Sequence, residues 1–230
     1  FEIQDIFPPP VFTKISTFGK LHKWVAYVDK YLRFPKRLKR ELSSRKDPIN
    51  LIHIIDHSNA IYLPKLSRMT RAKKIVTCHD LIAIRTAKGD FSQAPQTSNS
   101  GKRLQKWISD ALHKADYYAC DSKQTLQDLN RLIPLSKRKS SILHLGTGHD
   151  SSMISEKKEL SKILPLDPLN TNFLLHVGSG AWYKNRKAVF RSFIHAQRCL
   201  PDQNLKLILV GPEPQKEELD DHLSNWLKTH

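Results

Sequence analysis

Cysteine, glycine and long apolar runs are scarce in this chain of 230 residues. Its 3 cysteines are odd in number and widely spaced, which argues against a disulfide framework or a metal cluster and favours a reducing compartment. No run approaches the roughly 18 apolar residues of a membrane-spanning helix. Cys78 and Cys120 each end a short apolar run, so we predict that both are small core residues.

Acidic residues are the minority charge. The chain has 38 Lys and Arg against 22 Asp and Glu, a formal net charge of +16, which favours an anionic partner such as nucleic acid, acidic lipid or a sugar nucleotide. Zinc-finger spacing, an RNP-like aromatic strand and a basic heptad region are all missing, so nucleic acid is not the favoured partner. The segment from Lys14 to Leu42 mixes Trp24, Tyr27 and Phe34 with cations, a composition suited to an anionic membrane surface. An ordinary pair of basic helices broken near Pro35 explains the same composition.

Short apolar runs alternate with helical patterns along the chain. This alternation predicts an α/β fold of two Rossmann-like domains with parallel sheets, in which residues 1–150 form the first domain, 151–171 a polar linker and 172–230 the start of the second. A helix is predicted over 101–116, Ser122 is predicted to cap the next helix, and 85–101 is predicted to be a long polar loop. The predicted strands cover residues 51–55, 74–78, 117–120, 142–145, 173–177 and 205–210.

The stretch 173–193 has the pattern of an anion site, namely a buried strand, a glycine turn and a helix start that carries cations. Gly178 lets the backbone approach an anion because it has no Cβ. Lys184 and Arg186 supply charge, and Asn185 is the predicted N-cap, which puts Lys184 at the positive end of the helix. A simple βα turn with solvated cations explains the same residues. Neither G-x-G-x-x-G nor G-x-x-x-x-G-K-[ST] is present, so a dinucleotide fold or P-loop is not indicated.

Polar residues also follow two earlier strands. His79 and Asp80 come directly after a predicted strand, where side chains face the crevice above a parallel sheet. A histidine there can bond a sugar hydroxyl or exchange a proton near neutral pH, whereas a turn in which Asp80 caps local amides is the alternative. His57 is predicted to line the crevice, and Ser58 to cap a short helix. The sequence has no G-x-S-x-G elbow and no H-E-x-x-H spacing, so neither a hydrolytic triad nor a catalytic metal is predicted.

The sequence contains five segments in a fixed order. The segments are IIDHSNAIYL, IVTCHDLIAIR, GKRLQKWISDALHKADYYACDSKQTLQDL, HLGTGHD and LLHVGSGAWYKNRKAVFRSF. Together they resemble glycosyltransferases of family four. The resemblance spans about residues 50–211 and implies the two-domain GT-B fold, with an acceptor-side first domain and a donor-side second domain. It also implies retaining transfer of a sugar from a nucleotide-sugar donor in a cleft between the domains, with no cofactor and no obligatory metal.

The resemblance also implies roles for single residues. Lys184 would hold the donor diphosphate and offset the charge of the leaving group. Gly178 and Ser179 would bring the backbone close to that diphosphate. His79 would contact the transferred sugar near the reacting centre, and Asp80 would support its loop, so these two are the predicted catalytic residues.

Two departures from the family pattern change these expectations. Many members have arginine where this chain has Ser179, so the second diphosphate cation is either missing or supplied by Arg186, next to Asn185. His57 and Ser122 are expected to line the cleft, Ser122 mainly as a helix cap. The family's first strand with its acceptor loop and its donor-binding pair of glutamates are not found. We therefore expect a fragment, cut at both ends and with an incomplete second domain, that binds nucleotide sugar weakly and turns over little.

The sequence thus predicts a nucleotide-sugar-dependent glycosyltransferase that acts on a glycan or lipid-linked acceptor in polysaccharide or glycolipid synthesis. The expected location is the cytoplasm, at the inner face of the membrane as a peripheral protein. The rival hypothesis is a non-catalytic basic protein that binds anionic lipid or nucleic acid and keeps a vestigial sugar site. Replacing Lys184 with alanine would abolish transfer in the first case and leave partner affinity intact in the second.

Overall fold

The structure is a computed structural model that describes residues 2–7, 28–134, 139–146, 166–167 and 170–214. The chain divides into two compact units. The first contains Phe1–Asp90 and Thr97–Leu145, and the second contains Phe91–Gln96 and Gly146–His230. Phe91–Gln96 therefore belongs to the second unit, although the sequence placed it in the first domain. Most of the predicted linker lies outside the described residues.

The first unit is built on a four-stranded sheet in which every neighbouring pair is parallel. Because the strands are parallel, their carboxyl ends meet at one edge of the sheet. Cys78 and Cys120 are register partners and both are fully buried, which confirms their predicted place in the core. The strands, in spatial order, are β1 (Leu51–Ile54), β2 (Lys73–Cys78), β3 (Tyr117–Cys120) and β4 (Ser140–Ile142).

Strand β4 begins and ends earlier than the predicted 142–145. The apolar run Ile142–Leu145 suggested a strand, but the pairing with β3 sets its register from Ser140. Tyr118 N donates to Lys139 O at 2.8 Å, and Leu143 N donates to Cys120 O at 2.8 Å. An apolar run alone does not determine where strand pairing begins, because pairing also depends on which amides the neighbouring strand can bond.

Helices precede and connect these strands, and their apolar stripes form the core of the unit with Leu66, Leu112 and Leu129 almost wholly buried. No helix among the described residues is long and apolar enough to cross a membrane. The helices are α1 (Phe34–Ser43), α2 (Leu63–Met69), α3 (Ile82–Lys88), α4 (Asn99–Leu112) and α5 (Lys123–Leu132), with a 3₁₀ turn at His57–Tyr62 before α2.

Helix α3 lies where the sequence predicted the start of a polar loop. Asp80 Oδ1 accepts a hydrogen bond from Ile82 N at 3.0 Å, and Gly89 ends the helix in the left-handed conformation with φ of 85°. These are recognisable start and stop signals, but they enclose only seven residues. The prediction of a continuous loop over 85–101 is therefore wrong at its beginning, and at its end α4 starts at Asn99.

Pro35 does not break the basic helix. A π-helical turn, Asp29–Arg33, runs directly into α1, and Pro35 occupies the first turn of α1. Phe34 N donates to Asp29 O, a bond across five residues that widens the helix immediately before the proline. Proline is tolerated in a first turn because its missing N–H is not needed there. The amino-terminal part of the predicted basic segment, up to Tyr27, lies outside the described residues.

The second unit contains two parallel strands and one helix among its described residues. Strand β5 (Phe173–Val177) pairs in parallel with β6 (Lys206–Val210), and α6 (Arg186–Cys199) connects them. Short 3₁₀ turns occur at Trp182–Lys184 and Pro201–Gln203. Phe190 and Ile194 of α6 pack on Leu207 and Leu209 of β6. The sequence predicted this order of strand, turn and helix over 173–193, but its prediction that the strand is buried is wrong. Leu174, Leu175 and Val177 of β5 are exposed, because among the described residues β5 pairs only with β6 and α6 packs on β6.

Candidate functional site

The carboxyl edge of the four-stranded sheet brings a histidine and a carboxylate together. His79 follows β2 and Asp121 follows β3, and the residues just before them, Cys78 and Cys120, are register partners. The two side chains therefore leave neighbouring strands side by side. His79 Nδ1 lies 2.6 Å from Asp121 Oδ2, and the histidine side chain is 38% exposed. The pair is thus a preformed site at the edge where ligands of parallel sheets bind.

Asp121 changes the protonation of this histidine. Its hydrogen bond is the largest cause that raises the pKa of His79 above the ordinary value, while burial opposes the shift. The charges of Asp121 and Asp56 and a hydrogen bond to the Ile55 backbone add to the rise. The carboxylate oxygen can only accept, so Nδ1 carries the proton. The site therefore favours an imidazolium that can face a sugar hydroxyl or a developing negative charge.

Further hydrogen bonds join the loops around this pair. His144 Nδ1 lies 2.9 Å from the Asp121 backbone oxygen, and Thr125 Oγ1 donates to His79 O at 3.0 Å. Ser122 Oγ accepts from Thr125 N at 3.1 Å, which confirms its prediction as the cap of α5. Sequence reasoning missed Asp121 and His144 as site residues. One signal for Asp121 was available in the sequence. Each of the segments CHD and CDS begins with a cysteine that ends a strand, and polar residues follow directly.

His57 and Asp56 lie at the end of β1. Asp56 Oδ1 accepts from Ser58 N at 2.7 Å, so Asp56 caps the 3₁₀ turn and the prediction of Ser58 as the cap is wrong. His57 is mostly buried, and burial lowers its pKa although the charges of Asp56 and Asp80 oppose the change. Burial alone would raise the pKa of Asp56, but the Ser58 hydrogen bonds and the His57 and His79 charges bring it below the ordinary value.

Asp80 is exposed, and its carboxylate accepts a hydrogen bond from Ile82 N, the first residue of α3, whose N-cap residue is Leu81. It therefore holds the loop after β2, and the catalytic part of its predicted role stays a prediction. Nowhere in the described part of the chain do three His, Cys, Asp or Glu side chains meet in a group that could hold a metal ion.

The turn after β5 is the second candidate site. Gly178 N donates to Val210 O at 2.9 Å, which extends the ladder by one residue. A Cβ placed on Gly178 would lie 3.9 Å from Lys184 Cδ, so the lysine side chain extends back over the glycine turn. Lys184 Nζ is 5.8 Å from the ring centroid of Tyr183. The Lys184 side chain thus lies beside the glycine turn, directly before the N-cap residue of α6. A cation beside the amides of a helix start is an arrangement that can bind phosphate.

Asn185 and Ser179 shape this turn. Asn185 is the N-cap residue of α6, as predicted, but it has φ of 48° and makes no side-chain bond to the helix amides. The predicted capping bond is therefore wrong, and Asn185 instead supplies a left-handed bend, which asparagine tolerates better than most residues. Ser179 is exposed, and its Oγ accepts from Ala181 N at 3.4 Å.

Arg186 joins the turn after β5 to the turn after β6. Its side chain is buried, with 3% exposure of the residue. Nη1 donates to Pro212 O at 3.0 Å and Nη2 donates to Gly178 O at 2.9 Å. Gly211 has φ of 144°, and a Cβ there would lie 2.1 Å from Gly178 O. We call the two Arg186 bonds, to Gly178 O and Pro212 O, the clamp. The sequence analysis did not predict the clamp, and contact of Arg186 with a diphosphate stays a prediction.

Comparison with known proteins agrees with this architecture. No family model and no curated protein matches the chain. The UDP-forming α,α-trehalose-phosphate synthase of Burkholderia vietnamiensis matches with 14% identity over 96% of this chain and 50% of its own, at a TM-score of 0.50. The corresponding enzyme of Burkholderia xenovorans matches with 13% identity over 96% of this chain and 51% of its own, at a TM-score of 0.52.

The chain therefore spans about half the length of these two structures. At such low identity the likeness shows the fold alone. The predicted class, an α/β fold with parallel Rossmann-like sheets similar to GT-B glycosyltransferases, is confirmed. Membership of family four in particular is not confirmed and stays a prediction.

Proposed function

We propose that the protein is a retaining glycosyltransferase that moves a sugar from a nucleotide-sugar donor to a glycan or lipid-linked acceptor, without a cofactor or an obligatory metal. The GT-B-like fold supports the class of enzyme. The observation that carries the proposal is the position of Lys184, whose side chain extends over the Gly178 turn at the start of α6.

The turn after β5 would take the donor diphosphate. Backbone amides near Gly178 and Ser179 would donate to phosphate oxygens, and the positive end of α6 would favour their charge. When the glycosidic bond to the donor breaks, negative charge grows on the departing nucleoside diphosphate. Lys184 stabilises that charge more strongly in the transition state than in the ground state, and this difference lowers the barrier. Arg186 contributes by fixing the turn through its bonds to Gly178 O and Pro212 O.

The carboxyl edge of the first unit would act on the sugar. His79, held by Asp121 with a raised pKa, would donate a hydrogen bond to a hydroxyl of the transferred sugar. Asp80 would keep the loop in place through its bond to Ile82 N of α3, and Ser122 would hold its own loop by capping α5. His57 would pack beneath the ligand as a neutral ring, because burial lowers its pKa.

We place this activity in the cytoplasm, in the synthesis of polysaccharide or glycolipid. The three cysteines support a reducing compartment, since all are free thiols. Cys78 and Cys120 are buried register partners at the ends of β2 and β3, directly before His79 and Asp121. The proposal of a glycan or lipid-linked acceptor rests on the resemblance to glycosyltransferases of family four.

The test is binding of nucleoside diphosphates, because it reports on the second unit without requiring turnover. UDP, GDP and ADP are titrated into the full chain by isothermal calorimetry, and the best ligand is then compared between two lysine variants. Lys184→Ala is expected to weaken binding about 10- to 100-fold, as expected for loss of one charged hydrogen bond. Lys206→Ala is the matched control, because Lys206 is an exposed lysine at the opposite end of β6.

Lys206→Ala should change the affinity by less than about twofold. Equal weakening by the two variants would mean that the diphosphate responds to net charge rather than to the turn, and would contradict the proposal. The proposal would also be contradicted if Lys184→Ala bound all three nucleotides as tightly as the parent protein does.

A further inference from the structure

The first turns of the basic helix are fixed in orientation by the core. Phe34 and Leu38 are buried, and the Phe34 ring lies 5.1 Å from the ring of Tyr62. Tyr62 Oη donates to Lys30 O at 2.8 Å, and Tyr31 packs at 5.6 Å from Trp107. Rotation of the helix would break these contacts, so the side of the helix that carries its exposed residues stays turned outward.

The outward side of the helix, which we call the cationic face, holds four cations in helical steps of three, one and three. They line a concave pocket of about 410 Å³ together with Asp29, Phe34 and Glu41. Asp29 is buried, and Glu41 Oε1 lies 3.5 Å from Arg37 Nε. Residues 28–46 contain 8 Lys or Arg and 2 Asp or Glu. The cationic face consists of Arg33, Lys36, Arg37 and Arg40.

Exposed aliphatic side chains lie beside these cations. Leu32 is 63% exposed and Val28 is 39% exposed, and the two residues are one helical turn apart. A soluble polyanion would gain little from such side chains. A lipid surface uses both features, because phosphates attract the cations while aliphatic groups enter the boundary between headgroups and acyl chains.

We propose that the cationic face, with Leu32 and Val28, docks on an anionic phospholipid surface. Lys36 and Arg40 would contact lipid phosphates, and the pocket would take one headgroup. The charge of residues 28–46 is complementary to such a surface, and the buried inner face of α1 would hold the first unit in one orientation on it. This contact does not depend on the proposed sugar transfer.

The test is co-sedimentation of the full chain with vesicles of phosphatidylcholine containing about 30 mol% phosphatidylglycerol, compared with phosphatidylcholine alone, at moderate ionic strength. The double variant Lys36→Gln/Arg40→Gln is expected to bind the anionic vesicles about 25-fold more weakly, at about fivefold for each cation. The matched control, Lys65→Gln/Arg68→Gln, also removes one exposed lysine and one exposed arginine, but from α2. It should change binding by less than about threefold.

The variant Leu32→Ser distinguishes binding to a lipid surface from binding to other anions. It should weaken vesicle binding several-fold while leaving any binding to a single-stranded RNA oligonucleotide unchanged. Circular dichroism checks that each variant remains folded. The proposal is overturned if the two double variants lose binding equally, if the RNA or soluble glycerol phosphate is bound more tightly than the vesicles at the same salt, or if anionic and neutral vesicles are bound alike.

Discussion

The two units place polar residues at the carboxyl ends of parallel strands, but they hold those residues by different means. In the first unit, His79 and Asp121 bond side chain to side chain, and the imidazole remains part-exposed. In the second, Arg186 is buried and bonds the backbone carbonyls of Gly178 and Pro212. A His–Asp pair can change its protonation, whereas a guanidinium stays charged. The first edge therefore suits hydroxyl and proton chemistry, and the second suits a rigid cradle for an anion.

The largest effect is expected from removal of the clamp. Arg186→Ala leaves Gly178 O and Pro212 O without their donor and opens a cavity beneath the turn. Each lost charge-assisted bond is worth about 1.5 to 3 kcal/mol, so we expect a loss of about 3 kcal/mol in the stability of the second unit. Hydrogen exchange of peptides from β5 and β6 measures that stability separately from the first unit.

Arg198→Ala is the control for this change, because Arg198 is an exposed arginine in the last turn of the same helix. Its replacement should alter exchange in β5 and β6 by less than about 0.5 kcal/mol. Exchange in β1 to β3 should be the same in both variants. If Arg186→Ala exchanges like the parent protein, the clamp does not support the turn, and the contrast between the two units fails.

A smaller effect is expected from Gly211→Ala. The new Cβ would lie 2.1 Å from Gly178 O, and the residue has φ of 144°, so either the turn or the backbone must move. We expect a loss of about 2 kcal/mol, measured by the same exchange experiment. Gly89 has a positive φ but nothing within 4 Å of a new Cβ, so Gly89→Ala should cost about 1 kcal/mol, measured by exchange in β1 to β3 because Gly89 lies in the first unit. Gly146→Ala has neither feature and should be nearly neutral, so a different order of the three would contradict this account.

The local parts of this molecule were predictable from the sequence. The strand and helix over 173–193, the buried cysteines and the cap at Ser122 depend on neighbours within a few residues. Apolar periodicity and capping chemistry act over the same short range, so the pattern and the structure agree. The short helix α3 was missed because seven residues give too few turns for a periodic signal.

The contacts that define the two sites were not predictable, because each joins distant residues. His79 and Asp121 are 42 positions apart and meet only through the β2–β3 register. Arg186 and Pro212 are 26 positions apart and meet through the β5–β6 pairing. Such contacts follow from strand register, which a single sequence specifies weakly. The sequence therefore indicated which strand ends carry polar residues, and not which of those residues bond one another.

The smallest effect on stability is expected from Asp121→Asn, which tests the first edge. Without the carboxylate, the pKa of His79 should fall toward its ordinary value of 6.5, because the hydrogen bond and charge that raise it are lost. NMR titration of the His79 ring measures this shift directly. Asp80→Asn is the control, since Asp80 bonds the backbone of α3, and it should leave the His79 pKa almost unchanged.

The pH dependence of stability follows from the same shift. A histidine whose pKa is raised by folding stabilises the folded state fully below its unfolded pKa, and this stabilisation is lost as the pH rises through the folded pKa. The parent protein should therefore exceed Asp121→Asn in stability most clearly below pH 6.5, by about 1 kcal/mol or less because the ring is part-exposed. The difference should shrink above the raised pKa. A difference that grows with pH would contradict this account, because the His79–Asp121 bond stabilises the folded state most at low pH.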